Sequence, residues 1–494
     1  MEQQELEAVL AQYQTPAYVF DLDALAARAK RISERLGQAG IGLCYAMKAN
    51  PFLIGGLAPF VERFEVCSPG EFRICEREGL SMGRLVISGV HKGLGDTRRM
   101  VQEYQGAGIF TIESMRQRDL LAACASEAGV PIKVLVRISS GNQFGVDYVL
   151  AKEIFQNRRE YPQLLLEGIQ YYSGTQKKNL SVIEKELQEL DRFCHEVQEE
   201  LGVQIPEIEY GPGFFVPYFQ SDAEEHLEEL LEGFTALAQR MEFSGKMTLE
   251  LGRFLAAECG SFLTSIVDRK ENGGQVYGIV DGGIHHLNYF GQTMAMKLPY
   301  IQHIPMGDRT GTAKEGSQED GEYLPEEKWN ICGSLCTAAD VIVKQFPLTG
   351  AKAGDVLVFG RAGAYSVMEG ISLFLSRDLP KVLFYSREHG LRLVRDVLPT
   401  DTINSVKNKR NKDSERKRVM EKLMEILEDI QPDAEFDTCE TLIDDGVLDS
   451  FAILSIVSEL QDEFGITITP ADIIPENFNS AKALWAMVER LQEA

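Results

Sequence analysis

Between about residues 40 and 265 the chain repeats one theme, a short apolar run followed by a stretch of helical character. The runs are GLCYAMKA, FEVCS, RLVISG, GIFTIES, KVLVRIS, LEGIQYYS, PEIEYGPG and MTLELGR. Short runs rich in aliphatic and β-branched residues, bounded by Gly, Ser or Asn, read as strands buried on both faces. Eight in series, interleaved with helices, require parallel pairing through crossovers, and eight is the number at which such a sheet closes. The expectation is an α/β chain whose residues 25–265 form a (β/α)8 barrel. Beyond it the punctuation changes. QVYGIVDGG, DVLVFG and KVLFYSREH have strand character amid Gly and Pro, so residues 266–400 are expected to form a β-rich, barrel-like domain. The apolar run in TPAYVFDLDA assigns residues 1–24 to that domain as an N-terminal segment, and residues 22–36 read as a helix.

Charge separates the tail from the rest. The 494 residues carry a formal net charge of −25. From Val419 onward, 18 acidic residues face only Lys422, Lys482 and Arg490, which puts −15 of that charge in the last 76 residues. Residues 407–418 (KNKRNKDSERKR) hold seven basic residues against two acidic ones. They read as a basic linker, residues 401–415, running into a helix capped near Asp413 or Ser414. Ile453, Ile456, Val457, Leu460 and Phe464 then recur at helix spacing, so residues 416–494 are expected to be an all-α four-helix domain. Acidity of this size argues against nucleic acid as a partner. No apolar run reaches membrane-spanning length, and residues 1–20 lack a basic, apolar, small-residue signal pattern, so a cytoplasmic protein without a membrane partner is expected. The nine cysteines are scattered, and Cys332 and Cys336 form a lone near pair. That argues for reduced thiols and against a structural metal.

Three strand ends carry residues with chemistry. Lys48, in Tyr45-Ala46-Met47-Lys48-Ala49-Asn50-Pro51, follows the first barrel run. The C-terminal ends of barrel strands hold the active site, where a lysine can bond covalently to a carbonyl cofactor. Gly211-Pro212-Gly213 follows another run, and glycines let backbone N–H groups close on a phosphate. Glu250 and Arg253 end the eighth. One suits a ring N–H, the other a phosphate. Taken singly these features also fit a solvated charge, a turn and a surface ion pair.

Taken in order, they resemble the fold-type III decarboxylases that use pyridoxal 5′-phosphate (PLP), the diaminopimelate and ornithine decarboxylase family. The resemblance spans roughly residues 15–395. Phe64-Glu65-Val66-Cys67-Ser68 with Glu71 resembles the family's acidic strand near the cofactor. Residues 168–176 (GIQYYSGTQ) resemble the segment that stacks on the PLP ring and binds its phosphate. Cys332-Gly333-Ser334-Leu335-Cys336 and Ala362-Gly363-Ala364-Tyr365 resemble two further family motifs. The resemblance implies that Lys48 holds PLP, that Glu250 faces the pyridine nitrogen, and that Glu65 and Tyr172 lie against the ring. It also implies that Gly211, Gly213, Arg253, Thr175 and Tyr365 bind the phosphate. Cys336 becomes the proton donor to Cα. Cys336 and Tyr365 are expected to come from the second subunit of a homodimer. Relatives that racemise alanine carry an arginine opposite the pyridine nitrogen, so Glu250 favours decarboxylation.

Two positions depart from the family pattern. Tyr172 replaces the histidine that stacks on PLP, and Thr337 replaces the acid that contacts a distal amine. The second change weakens the case for free ornithine, lysine or diaminopimelate. The Gly-Thr-Gln and Leu-Cys-Thr variants resemble the subgroup acting on an amino acid tethered to a carrier protein, such as the glutamyl-carrier decarboxylase of butirosin biosynthesis. The tail fits that reading. Asp444-Asp445-Gly446-Val447-Leu448-Asp449-Ser450-Phe451 precedes an amphipathic helix. It reads either as a helix cap or as the carrier-protein site where 4′-phosphopantetheine joins Ser450. The tail resembles D-alanyl and aminoacyl carrier proteins throughout its length. The expectation is a PLP decarboxylase acting on a carrier-bound amino acid, for example γ-linked glutamate, in a biosynthetic pathway. A phosphopantetheinyl transferase and an amino acid–carrier ligase are the implied partners. A decarboxylase of free amino acids, a racemase and a non-catalytic scaffold are the alternatives.

Overall fold

The chain enters through a helix, Gln3–Gln12, and strand β1, Ala17–Asp21. It then turns into the helix Leu22–Gln38, whose first turn is capped by the Asp21 carboxylate accepting from Ala24 N. Leu25, Ala29, Ile32 and Leu36 form the buried stripe of that helix, the spacing that packs one helical face on a sheet. The computed structural model describes residues 3–292, 295–306, 325–406, 409–432, 434, 436 and 439–492, with residues 409–419 and Gln492 by backbone alone.

Eight parallel strands follow and close into a barrel. They are β2 (Ile41–Ala46), β3 (Arg63–Val66), β4 (Leu85–Ile87), β5 (Ile109–Ile112), β6 (Ile132–Ile138), β7 (Leu164–Tyr172), β8 (Glu207–Gly211) and β9 (Lys246–Leu251). Each lies within or overlaps one of the eight apolar runs, and β9 pairs back onto β2 from Ile41↔Met247 to Tyr45↔Leu251. The strands are buried nearly throughout, as sheets flanked by helices require. Ser68, Ser114 and Asp147 cap intervening helices through their side chains. Gly129 and Gly202 end two of them in the left-handed conformation that glycine adopts without a Cβ clash.

A nine-stranded mixed sheet stands beside the barrel. Its remaining strands are β10 (Gly260–Asn272), β11 (Gln275–Val280), β12 (Ile301–Ile304), β13 (Glu326–Cys332), β14 (Val341–Thr349), β15 (Val356–Phe359), β16 (Lys381–Ser386) and β17 (Gly390–Arg395). The order β14-β13-β11-β10-β1-β16-β17, with β15 joining β10 and β12, places the N-terminal strand in its middle. The barrel is thus an insertion between β1 and β10, which pair antiparallel. Strand β10 already begins at Gly260, inside the segment 25–265 assigned to the barrel from sequence, because its first four residues pair with β1. The helix Gln3–Gln12 was not anticipated. It buries Leu6, Val9 and Leu10 in a cluster with Val19, Leu263, Val356, Val358 and Leu383.

Residues 402–494 form a separate compact unit. It holds the helices Lys409–Ile430, Ser450–Phe464, Pro475–Phe478 and Ala481–Gln492 around its own core, which includes Leu423, Leu427, Ile456, Leu460, Leu484 and Val488. The first helix starts at Lys409, ahead of the expected cap at Asp413 or Ser414, since Lys and Arg propagate a helix readily. No described helix is long and apolar enough to cross a membrane.

Candidate active site

Lys48 sits in a single turn, Met47–Ala49, directly after β2. Lys48 lines a cavity, and its amine reaches carboxylates from neighbouring strands. Nζ donates to Glu65 Oε2 at 2.6 Å and lies 3.6 Å from Glu250 Oε1. Burial works against the ammonium, but Glu65, Cys67 and Glu250 outweigh it and hold the amine well above the ordinary lysine range. Burial likewise opposes charge on Glu65, yet Lys48 and Arg137 keep its carboxyl low. Glu250 moves the other way. Its burial and the neighbouring Glu65 charge raise it, and Lys48 only partly offsets them. The two carboxyls are thus split in character, as in sites where paired acids take different roles.

The cavity is lined by Lys48, Glu250, Tyr172, Thr175, Gly213, Arg253 and Tyr365 among others. Arg253 opens the turn after β9 and donates from Nη1 to the Tyr218 hydroxyl at 2.9 Å. Its guanidinium lies 4.3 Å from the Tyr365 ring centroid, a cation–π contact. Its Nε is buried with no hydrogen-bond partner among the described residues. Gly213 has φ +61°, and a Cβ there would overlap the Gly174 carbonyl. Gly211 leaves room for the Tyr172 ring, whose Cδ2 would stand 2.7 Å from an added Cβ. Burial raises the Tyr172 hydroxyl, with Lys48 opposing, so it is a neutral phenol beside the amine.

Tyr365 corrects one expectation. It lines the Lys48 cavity of its own chain, where the resemblance had implied a residue of the second subunit. Its backbone N donates to Ala49 O at 2.7 Å, and Asn50 Nδ2 donates to Gly363 O at 2.8 Å. These bonds hold residues 362–365 against the Lys48 turn. Tyr365 itself has φ +67°, a conformation a non-glycine residue keeps only when its surroundings impose it. Cys336 is exposed on the loop after β13 and is not among the residues lining this cavity. Ser450 lies in the separate helical unit.

The sequence assigned no site role to Gln170 and Cys67, although both lie in quoted motifs, nor to Glu209. Gln170 Nε2 lies 2.8 Å from Glu209 Oε1 and 3.3 Å from Glu250 Oε2, tying three strands together. Glu209 is fully buried, and burial with the nearby Glu250 charge pushes it up to about 8. Cys67 Sγ is 3.7 Å from Lys48 Nζ. The signal was the strand period. Gln170 and Tyr172, and Glu209 and Gly211, are i, i+2 pairs that share a strand face, and Cys67 follows Glu65 just past the end of β3.

The donor set suits a phosphorylated carbonyl cofactor. It combines an amine, a cation with an unbonded buried N–H, a glycine turn with no space for a side chain, and a carboxylate beside the amine. Comparison with known proteins agrees. The family model described as pyridoxal-dependent decarboxylase, C-terminal sheet domain, matches residues 17–363. A decarboxylase of L-glutamyl-BtrI acyl-carrier protein from Niallia circulans is 25% identical over 430 residues, covering 82% of this chain and 96% of the relative. The diaminopimelate decarboxylase of Zymomonas mobilis is 26% identical over 396 residues, covering 76% and 88%. The crystal structure of the diaminopimelate decarboxylase of M. jannaschii superposes with a TM-score of 0.69 at 22% identity, over 81% of this chain and 93% of that one, and shares the fold. The chain belongs to the pyridoxal-dependent decarboxylase family and is a PLP-dependent amino acid decarboxylase.

Proposed function

We propose that this enzyme removes the α-carboxyl group of an amino acid held as a thioester on a 4′-phosphopantetheine arm at Ser450. The observation that carries the reading is the start of the helix Ser450–Phe464. Asp449 supplies the cap, its Oδ1 accepting from Phe451 N and Ala452 N at 3.0 and 2.8 Å. Ser450, exposed at the first helical position, is not the capping residue. Phe451 and Leu454 are exposed beside it, an apolar surface for an attaching enzyme. The acidic tail and the relative named for a glutamyl-carrier substrate support the same reading.

In the barrel, Lys48 anchors PLP through its amine. Arg253, Thr175, Gly211, Gly213 and Tyr365 hold the phosphate, and Tyr172 packs on the ring. The bound cofactor would supply the electron sink that loss of the α-carboxyl group as CO2 requires. Glu250, supported by Gln170, is the carboxylate that would pair with the ring nitrogen and favour a proton there. Glu65 orients the Lys48 amine. Cys336, from the second subunit of a homodimer, returns a proton to Cα. Because the α-carboxyl leaves, the thioester must use another carboxyl, which points to a side-chain acid such as glutamate. A phosphopantetheinyl transferase and an amino acid–carrier ligase then supply the loaded carrier.

Incubating the full chain with coenzyme A and a phosphopantetheinyl transferase tests the attachment. The expected result is a single phosphopantetheine addition on the peptide containing Ser450, absent in Ser450→Ala. No addition, with a control carrier modified in parallel, removes the carrier reading. Similarity to diaminopimelate decarboxylases at 26% identity favours a second reading, decarboxylation of a free amino acid. In that case Ser450→Ala turns over free substrate as well as wild type does.

A further inference from the structure

Glu186 interrupts the buried face of the helix Leu180–Leu201. Its neighbours on that face are Ile183, Leu187 and Leu190, so the stripe packing requires is apolar. A carboxylate taken out of water there must be paired and hydrogen-bonded. Three donors meet it. Ser173 Oγ donates to Oε1, and Lys177 Nζ and the Tyr210 hydroxyl donate to Oε2 at 2.7 and 2.5 Å. Glu186 and Lys177 side chains are only 10% and 9% exposed, so the pair is barely screened by water.

The donors bracket one wall of the Lys48 cavity. Ser173 and Lys177 flank Thr175 in the loop after β7, and Tyr210 immediately precedes Gly211. The loops after β7 and β8 are also tied by one backbone bond and by the side-chain amide of Gln176. Lys177 N donates to Gly213 O at 2.9 Å. The Gln176 amide accepts from Val216 N at 2.7 Å and donates to Val216 O at 2.9 Å. Gln176 has φ +61°, a left-handed conformation that needs such bonds to persist. Neither Ser173, Lys177 nor Glu186 lines the cavity. Lys177 directs its charge at Glu186, so it is not itself an anion ligand of that wall.

We infer that Glu186 is a positioning residue: it clips the loop of residues 173–177 to Tyr210 near the end of β8, just before the Gly211–Gly213 turn, and so presets the cavity for a phosphate-bearing cofactor. The inference rests on the reading that Thr175, Gly211 and Gly213 hold the PLP phosphate. Binding donors already in place lose less freedom when the ligand arrives. The clip therefore acts chiefly on the phosphate.

Equilibrium binding of PLP and of pyridoxal, the same ring without phosphate, tests this in the full-length protein. The variants are wild type, Glu186→Leu/Lys177→Met, Ser173→Ala and Tyr210→Phe. The double variant exchanges the buried pair for apolar side chains, a change that commonly leaves stability near or above wild type, and thermal unfolding of the cofactor-free protein checks that. The expected result is a PLP Kd raised about tenfold or more in the double variant, the range for losing a residue that orients ligand-binding groups, with the pyridoxal Kd unchanged. Ser173→Ala and Tyr210→Phe, which remove one donor and no charge, should shift PLP alone in the same direction by less, and they carry the test if the double variant does not fold. Equal weakening of both ligands, or no change in a folded variant, overturns the positioning role. A wild-type protein with no preference for PLP over pyridoxal overturns the phosphate-cradle reading, and the clip with it.

Discussion

The barrel and the C-terminal helical unit place their candidate chemistry by opposite means. Around the barrel cavity, Lys48, Thr175, the Glu250–Arg253 pair and Tyr365 come from four separate stretches of sequence and meet because eight strands close and residues 362–365 return to the Lys48 turn. In the helical unit one serine stands beside its own cap at the start of one helix. The first arrangement needs relative positions held tightly, since misplacing a reacting group by an ångström is costly. The second needs only an exposed hydroxyl on a stable helix end. Damage to one region should therefore leave the other's chemistry intact, and each expectation below can break that separation.

The largest effect belongs to Lys48→Ala. It should lower turnover on the order of 10⁴-fold or more, the scale of removing a covalent catalyst, and abolish the PLP absorption band while Ser450 still accepts phosphopantetheine. Ser450→Ala should do the reverse, with the PLP band intact and tethered turnover lost. Normal turnover by pure Lys48→Ala protein would contradict its role. Next comes Cys336→Ala, expected to slow product formation by roughly 10² to 10⁴, the range for losing a general acid. Mixing Cys336→Ala and Lys48→Ala proteins should restore part of the activity if the thiol crosses between subunits. No restoration in a mixed dimer would put the thiol in its own chain's site.

Glu209→Gln sharpens the contrast inside the barrel. The Glu209 carboxyl is pushed from 4.5 up to about 8. A raised carboxyl holds its proton more tightly folded than unfolded, so wild-type stability falls as pH rises through that window. Glutamine mimics the protonated form. The variant should be more stable than wild type near pH 8, on the order of a few kcal/mol, and lose the advantage by about pH 5. Denaturant unfolding at the two pH values measures it, and a pH-independent difference would show that Glu209 does not titrate there. Asp449→Ala has the smallest effect. Loss of its two cap bonds should cost the helical unit about 1 kcal/mol. The barrel's thermal transition should not move, and a shift there would break the separation of the two regions.

The barrel strands were legible because strands buried on both faces read as continuous apolar runs. The strand-end residues were legible because barrel chemistry gathers at strand ends. Other features needed coordinates. The helix Gln3–Gln12 has a weak apolar stripe of three buried residues in ten, too short a pattern to stand out from a polar N-terminus. The first four residues of β10 extend the sheet across the assumed domain boundary, since pairing with β1 is a long-range fact. Tyr365 was expected from a second subunit on the family resemblance, and nothing local in the sequence reveals that Asn50 and Ala49 hold its loop. Gln170, Glu209 and Glu186 are polar residues at buried positions, and a sequence does not show which partners satisfy them.

The most direct test of the account is intact-mass spectrometry of the full chain carrying γ-linked glutamyl-phosphopantetheine on Ser450, followed with PLP present. The account predicts that the loaded protein loses the mass of one CO2 and that Lys48→Ala protein loaded in the same way does not. A loaded wild-type protein with its PLP band in place that keeps its full mass, while free diaminopimelate or another free amino acid is turned over, would contradict decarboxylation on the carrier.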